Sequence, residues 1–105
     1  PPLYRLDVRL DDKLEGLGLL SDDTIGRERR ILRARYQLVE LSTGAILLDA
    51  TAGSDAGIDV VSSEYATIAA EQTALENLSR SVADRIITRV SLQLRSAARE
   101  PSSGQ

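Results

Sequence analysis

Apolar and polar residues alternate along three segments in the first half of the chain. The alternation predicts three β-strands, because successive side chains of a strand point to opposite faces of a sheet. The predicted strands are Leu3–Asp11, Arg29–Glu40 and Ala45–Ser54. The residues Ser42-Thr43-Gly44 have the composition of a tight turn, so the second and third strands are expected to form a hairpin.

Each predicted strand has one apolar face, which is expected to lie on a core. These faces consist of Tyr4, Leu6, Val8 and Leu10, of Leu32, Ala34, Tyr36 and Leu38, and of Ile46, Leu48, Ala50 and Ala52. Between the first two strands, residues 12–26 hold three glycines and an S-D-D-T turn cluster, which predict a hairpin connection with at most short strand extensions. Gly53 and Gly57 predict that the third strand ends or bulges there, before an extended approach to a helix over Ile58–Val61.

In the second half the apolar spacing changes to three and four residues, which predicts one long helix over Glu64–Arg95. Its apolar stripe consists of Leu75, Leu78, Val82, Ile86, Val90 and Leu94, flanked by Ala70, Ala74, Ala83 and Ile87. Ser62 or Ser63 is the expected N-cap. Glu64 in the first turn and Arg95 near the end suit the helix dipole.

The expected fold is α+β: a two-layer sandwich in which an antiparallel or mixed sheet carries a long C-terminal helix on one face. With 105 residues, a single domain is expected over residues 1–100, followed by a disordered tail over 101–105. The chain has no Phe, Trp or Met and only three Tyr, so the core must be aliphatic. Such a thin core suggests that a further element belongs to the fold.

Composition narrows the chemistry. The formal net charge is −3, from 13 basic and 16 acidic residues, which argues against nucleic acid as a partner. The chain has no His and no Cys, so the usual general base, disulfides and thiolate metal sites are absent. Neither an enzyme nor a cofactor is expected. The paired aspartates Asp11-Asp12 and Asp22-Asp23 are interpreted as solvated turn residues, with a weak Ca²⁺ site as the alternative.

A cluster of arginines lies along the second predicted strand and just before it, and this cluster is the candidate binding site. It consists of Arg27, Arg29, Arg30, Arg33 and Arg35. Alternation places Arg29, Arg33 and Arg35 on one side, next to Arg5 and Arg9 of the first strand. Because Arg makes bidentate contacts with phosphate, a lipid phosphate is one plausible ligand. The other interpretation is a solvated face neutralised by neighbouring carboxylates.

The run I-D-V-V-S-S-E-Y-A-T-I-A-A-E-Q-T-A, followed by V-A-D-R-I-I-T-R-V, resembles the start of the last helix in the LptE family of lipopolysaccharide-assembly lipoproteins, in its alphaproteobacterial form. The resemblance implies a sandwich in which a strand and a first helix precede three antiparallel strands and a final helix. This chain would match from the second strand onward, with the missing elements and a lipidated Cys upstream. Ser62, Ser63, Tyr65 and Ile68 would form the helix-start motif, with Tyr65 and Ile68 pinning the helix to the sheet.

The resemblance also implies a function. A member of this family is expected to be a non-catalytic lipoprotein on the periplasmic side of the outer membrane, held there by its upstream lipid anchor. Its partners would be lipopolysaccharide and the β-barrel translocon LptD, whose lumen it plugs. The family's basic lipid contacts fall here on Asp22-Asp23 and Thr67-Ile68, which leaves Arg27, Arg29 and Arg30 as neighbouring substitutes.

Two alternatives remain from the residues themselves. A periplasmic anion-binding or lipid-binding module would need a concave basic pocket. A small hydrolase would have to rely on Asp or Glu, and the absence of His disfavours it.

Overall fold

All three alternating segments form strands, and each strand is longer than its alternation predicts. The computed structural model describes residues 1–19, 26–60 and 63–99. The strands are β1 (Tyr4–Leu19), β2 (Gly26–Glu40) and β3 (Ile46–Val60), and they are followed by one helix, α1 (Glu64–Arg99). The strands are neighbours in the order β1-β2-β3, and both pairings are antiparallel. The predicted α+β arrangement, with the final helix on one face of the sheet, is confirmed.

The added strand length comes from the segments whose glycines predicted turns. β1 runs through Gly16, which pairs with Glu28, and β3 runs through Gly53 and Gly57. At both β3 glycines an arginine side chain of β2 packs closely: Arg33 Cγ and Arg27 Nη2 each lie 3.3 Å from the position that a Cβ would occupy. The prediction that β3 ends or bulges at these glycines is therefore wrong, because long neighbouring side chains cover the gaps. The irregularity lies instead at the other end, between Leu38 and Val39.

The connection between β2 and β3 is the predicted tight turn. Gly44 has φ +74°, a conformation that costs glycine little, and its amide donates to the Glu40 carbonyl at 2.8 Å. The Glu40 amide donates to the Ala45 carbonyl at 2.9 Å, which closes the hairpin. The Thr43 hydroxyl donates to the Glu40 carboxylate at 2.9 Å. Local turn chemistry thus fixes this end of the sheet.

The core lies between α1 and the apolar faces of β2 and β3. Its buried cluster consists of Leu32, Ala34, Tyr36, Leu38, Leu48, Ala52, Leu78, Val82 and Ile86. Val90 and Leu94 are partly buried and pack against it. The predicted face of β2 and the predicted stripe of α1 are therefore confirmed, whereas the flanking Ala70, Ala83 and Ile87 are exposed. Ile46 of the predicted β3 face is also exposed.

The start of α1 is capped as predicted, but its first apolar residues are not buried. The Ser63 hydroxyl accepts a hydrogen bond from the Ala66 amide at 3.2 Å. Ser62 lies outside the described residues. Tyr65 is 84% exposed and Ile68 is 56% exposed, so the expectation that they pin the helix onto the sheet is wrong. The first buried apolar residue of α1 is Ala74, farther along the helix.

The apolar face of β1 is not covered. Within the described residues, α1 lies over β2 and β3 but not over β1. Leu6, Val8 and Leu10 stand on the same side of the sheet as the core, opposite Leu38, Tyr36 and Ala34, yet all three are exposed. The prediction of a half-buried first strand is therefore wrong for this structure. One helix is too narrow to cover three strands, which are spaced about 4.8 Å apart.

The tail over 101–105 lies outside the described residues. In the part of the chain that the structure describes, no helix is long and apolar enough to cross a membrane.

Candidate interaction surface

The face of the sheet opposite α1 is covered with charged side chains, and we refer to it as the outer face. β2 runs through its middle and contributes Arg27, Arg29, Arg33 and Arg35, all exposed. β3 contributes Asp49, Asp55 and Asp59 on one side, and β1 contributes Arg5, Asp7, Arg9, Asp11, Lys13 and Glu15 on the other. Alternation thus brings four of the five predicted arginines to one surface.

Carboxylates of β3 neutralise three of these arginines. Arg35 donates from Nε and Nη2 to Asp49 at 3.3 and 3.1 Å, and Gln37 donates to the same carboxylate at 3.1 Å. Hydrogen bonds from Arg35 and then Gln37 lower the pKa of Asp49. Arg27–Asp59 and Arg29–Asp55 are looser pairs, at 3.8 and 4.0 Å. Much of the outer face is therefore a solvated, neutralised surface.

Arg9 and Arg33 are the exceptions. Among the residues that the structure describes, neither side chain forms an ion pair or hydrogen bond. Arg9 lies opposite Arg35 in the β1–β2 pairing. A depression of about 310 Å³ is lined by Asp7, Val8, Arg9, Arg35 and Gln37, and another of about 500 Å³ includes Arg33. Both depressions lie on the outer face, and arginine is a residue type suited to bidentate contact with a phosphate or carboxylate group.

Arg30 belongs to a different site. It points to the helix side of the sheet, where its side chain is only 17% exposed. Nε and Nη2 donate to the Asp12 carboxylate at 3.0 and 2.7 Å, and Nη1 donates to the Glu71 carbonyl at 3.0 Å. Arg30, a member of the predicted arginine cluster, therefore lies apart from the other four arginines, on the opposite face of the sheet. Its guanidinium joins β1, β2 and α1, so its role is structural.

Substitution of Asp12 by asparagine tests this link. The hydrogen bond from Arg30 is the main reason that the pKa of Asp12 lies below its ordinary value. A carboxyl with a depressed folded pKa stabilises the fold above its unfolded pKa, and this contribution is lost as the pH falls through the folded pKa. We expect Asp12→Asn to lower the free energy of unfolding by about 1 kcal/mol at neutral pH and by less at pH ~2. Urea denaturation at the two pH values measures this, and an effect that does not change with pH would contradict it.

A second polar contact on the helix side of the sheet was not predicted from the sequence. Glu28 of β2 lies against Glu71 of α1, and the hydrogen bond between their carboxyl groups, followed by burial, raises the pKa of Glu28. Within the described part of the chain, one Glu28 oxygen is buried without a partner. The alternation along β2 could have predicted this contact, because it places Glu28, an even-numbered residue, on the helix side of the sheet.

Replacement of Glu28 by glutamine is expected to stabilise the protein. A raised folded pKa means that the charged form is disfavoured in the fold, so this group reduces stability above its unfolded pKa and the penalty disappears below it. Glu28→Gln should raise the free energy of unfolding by about 0.5 kcal/mol at neutral pH, a typical cost of opposed like charges. Thermal unfolding at neutral and acidic pH measures the gain, which should vanish in acid. Glu76→Gln on the exposed side of α1 is the matched control and should change nothing.

Asp11 and Asp12 lie within β1, not in the predicted turn, and they do not share a site. Asp11 and Asp12 point to opposite faces of β1, where they pair with Lys13 and Arg30 respectively. Asp22-Asp23 lies outside the described residues. Over residues 1–19, 26–60 and 63–99, no group of three acidic side chains is placed to hold a cation.

Comparison with known proteins supports the fold. No protein-family model and no curated protein matches the chain. A solved structure does: the 2.40 Å crystal structure of a protein from Caulobacter crescentus CB15, described as a lipoprotein. The two share a TM-score of 0.65 at 20% sequence identity, over 97% of this chain and 73% of the other. At this identity, the likeness shows a common fold.

Proposed function

We propose that this chain is part of a lipopolysaccharide-assembly lipoprotein of the LptE family. Two independent features support the proposal. The sequence around the start of α1 resembles the corresponding helix of that family. The fold is shared with a solved protein that is described as a lipoprotein. In that family a strand, a helix and a lipid anchor would precede the part that this chain resembles, and the anchor would hold the protein on the periplasmic side of the outer membrane.

The outer face is the surface that would contact a partner. It spans all three strands and presents arginines and carboxylates side by side, with exposed pairs such as Arg35–Asp49 and Arg5–Asp7. Exposed pairs of this kind contribute little to stability, because water solvates the separated charges well. They can instead exchange partners with another polar surface. The lumen of a large outer-membrane barrel is such a surface, since its inward side chains are polar.

The role we propose is therefore that of a non-catalytic plug. The chain would sit in the lumen of the LptD barrel, with the outer face against the barrel wall, and would assist lipopolysaccharide insertion in the outer leaflet. Arg9, Arg33 and Arg35 would contact lipopolysaccharide phosphates. Arg30 is not part of this set, because Asp12 and the Glu71 carbonyl occupy its donors.

A second candidate is a free periplasmic module that binds an anion or a lipid headgroup. The observation that favours it is the unpaired state of Arg9 and Arg33 in the described chain. Against it, the residues lining both arginine depressions stand on one sheet face, without an opposing wall. Small-molecule sites usually enclose most of their ligand.

Co-purification from outer membranes tests the plug proposal. The tagged full-length protein would be extracted in mild detergent, and its partners would be identified by mass spectrometry. We expect a large β-barrel in stoichiometric amount, reduced by the outer-face substitutions Arg29→Glu and Arg33→Glu. The matched control is Arg80→Glu with Arg89→Glu on α1, which removes the same charge from exposed positions. Recovery of the folded protein alone would contradict the plug proposal and favour the free module.

A further inference from the structure

The contact between Glu28 and Glu71 lies where the first turns of α1 meet the sheet. Glu28 stands on the helix side of β2, between Gly16 of β1 and Ile58 of β3, which carry no charge. Glu71 faces it from α1, one turn before Ala74, the first buried apolar residue of the helix. Two carboxyl groups therefore meet at the point where the packed part of α1 begins.

The hydrogen bond between these two carboxyl groups requires a proton. An ionised carboxylate only accepts hydrogen bonds, so one member of the pair must be protonated to donate to the other. The structure therefore shows the state in which Glu28 and Glu71 share a proton. When that proton leaves, two carboxylates remain in contact and repel each other. One Glu28 oxygen is also buried without a hydrogen-bond partner in the described chain, so the charged form is poorly solvated.

The neighbouring charges are already balanced. Arg30 stands two residues along β2 on the same face, but its Nη2 lies 2.7 Å from the Asp12 carboxylate. It binds the backbone carbonyl of Glu71. The pKa of Asp12 is lowered by the hydrogen bond from Arg30, so this ion pair persists over the pH range in which Glu28 titrates. Glu64, in the first turn of α1, is exposed. The contact between Glu28 and Glu71 thus depends on its own proton.

The remainder of the helix contact does not titrate. Leu78, Val82 and Ile86 hold the middle of α1 on the sheet through apolar contacts. Near the start of α1, a depression of about 490 Å³ lies between the helix and the end of β3, with Ala70 on one side and Ile58 on the other. The first turns are therefore not closely packed on β3, and polar contacts with β2 contribute more to their attachment.

We propose that the Glu28–Glu71 pair is a pH-dependent latch for the start of α1. With its proton, the pair holds residues 64–73 against β2. Without it, these turns open from the sheet more often, while the apolar cluster keeps the rest of α1 in place. The inference rests on contacts within this chain and does not depend on the proposed function.

Amide hydrogen exchange between pH ~4 and pH ~8, a range that brackets the titration of a perturbed glutamate, tests the latch. Each measured rate is compared with the intrinsic rate at the same pH, which gives a protection factor. The protection of residues 68–73, relative to that of residues 78–90, should fall roughly two- to threefold as the pH rises, as expected for one repulsive pair. Equal changes in the two segments, or no change, would overturn the proposal.

Glutamine variants separate the charge from the hydrogen bond. In Glu28→Gln or Glu71→Gln, an amide can donate to the remaining carboxylate without a titrating proton. The relative protection of residues 68–73 should then stay high at every pH. Glu28→Ala removes the bond and should leave it low throughout. Glu76→Gln, an exposed position of the same helix, is the matched control and should keep the pH dependence. Retention of that dependence in folded Glu28→Gln would contradict the latch.

Carboxyl-carbon NMR provides a measurement of the proton itself. Glu28 and Glu71 should titrate as a coupled pair in two steps, because each senses the charge of the other. In Glu71→Gln, the titration of Glu28 should collapse to a single step. Independent titration of both groups in the ordinary glutamate range would show that they share no proton, and the proposal would fail.

Discussion

Replacement of Leu78 by alanine should lower the free energy of unfolding by about 3 kcal/mol, the cost typical of a buried leucine. Leu78 is only 4% exposed and belongs to the buried cluster between α1 and the sheet. Because the structure has one sheet and one helix, this cluster is the main apolar contact between its layers. A loss of this size is a large fraction of the roughly 5–15 kcal/mol that stabilises an ordinary domain.

Chemical denaturation followed by circular dichroism measures the change. Leu92→Ala is the matched control, because Leu92 lies on the same helix but is 53% exposed. Its substitution should cost no more than about 0.5 kcal/mol. Similar losses for the two variants would show that α1 does not pack on the sheet through the predicted stripe.

Replacement of Arg9, Arg33 and Arg35 by glutamine should weaken binding to lipopolysaccharide-containing vesicles by roughly 10- to 100-fold. The three side chains are exposed on the outer face, and two of them have no acidic partner in the described chain. If each exposed contact contributes about 0.5–1 kcal/mol, their sum corresponds to that range. The stability of the variant should be nearly unchanged, because its side chains project into solvent.

Vesicle flotation with and without lipopolysaccharide measures the effect. The control variant replaces Arg80, Arg89 and Arg95 by glutamine. It removes the same charge from exposed positions of α1. Arg30→Gln is a second control: it should reduce stability through the lost Asp12 contact and leave lipid binding intact. Equal weakening by both triples would mean that the attraction depends on net charge alone, which would contradict a binding role for the outer face.

The periodic patterns predicted most of the core. Alternation identified Leu32, Tyr36 and Leu38 as buried residues of β2, and the helical spacing identified Leu78 and Val82 as their counterparts on α1. Both inferences depend on local geometry alone, since a strand repeats every two residues and a helix every 3.6. The turn at residues 41–45 and the cap at residue 63 were predictable for the same reason.

Strand ends were less predictable, because they depend on the neighbouring strand. Gly53 and Gly57 would weaken an isolated strand. In the sheet they lie beside β2, whose Arg33 and Arg27 side chains cover the missing side-chain volume. The separation of structural arginines from those available for binding also depends on their hydrogen-bond partners in the fold. Alternation alone separates Arg30 from Arg29, but only the structure shows that Asp12 and the Glu71 carbonyl bind it.

The order of the elements, the inward face of each element and the charge pattern of the outer face can all be read from the amino-acid sequence. These follow from periodicity, which is a property of each segment alone. The tertiary structure decided which inward faces are covered: α1 covers β2 and β3, and the equally apolar face of β1 stays exposed in the described chain. An apolar stripe shows that a face favours burial. Whether another element covers that face depends on the widths and positions of the layers, which no single segment encodes.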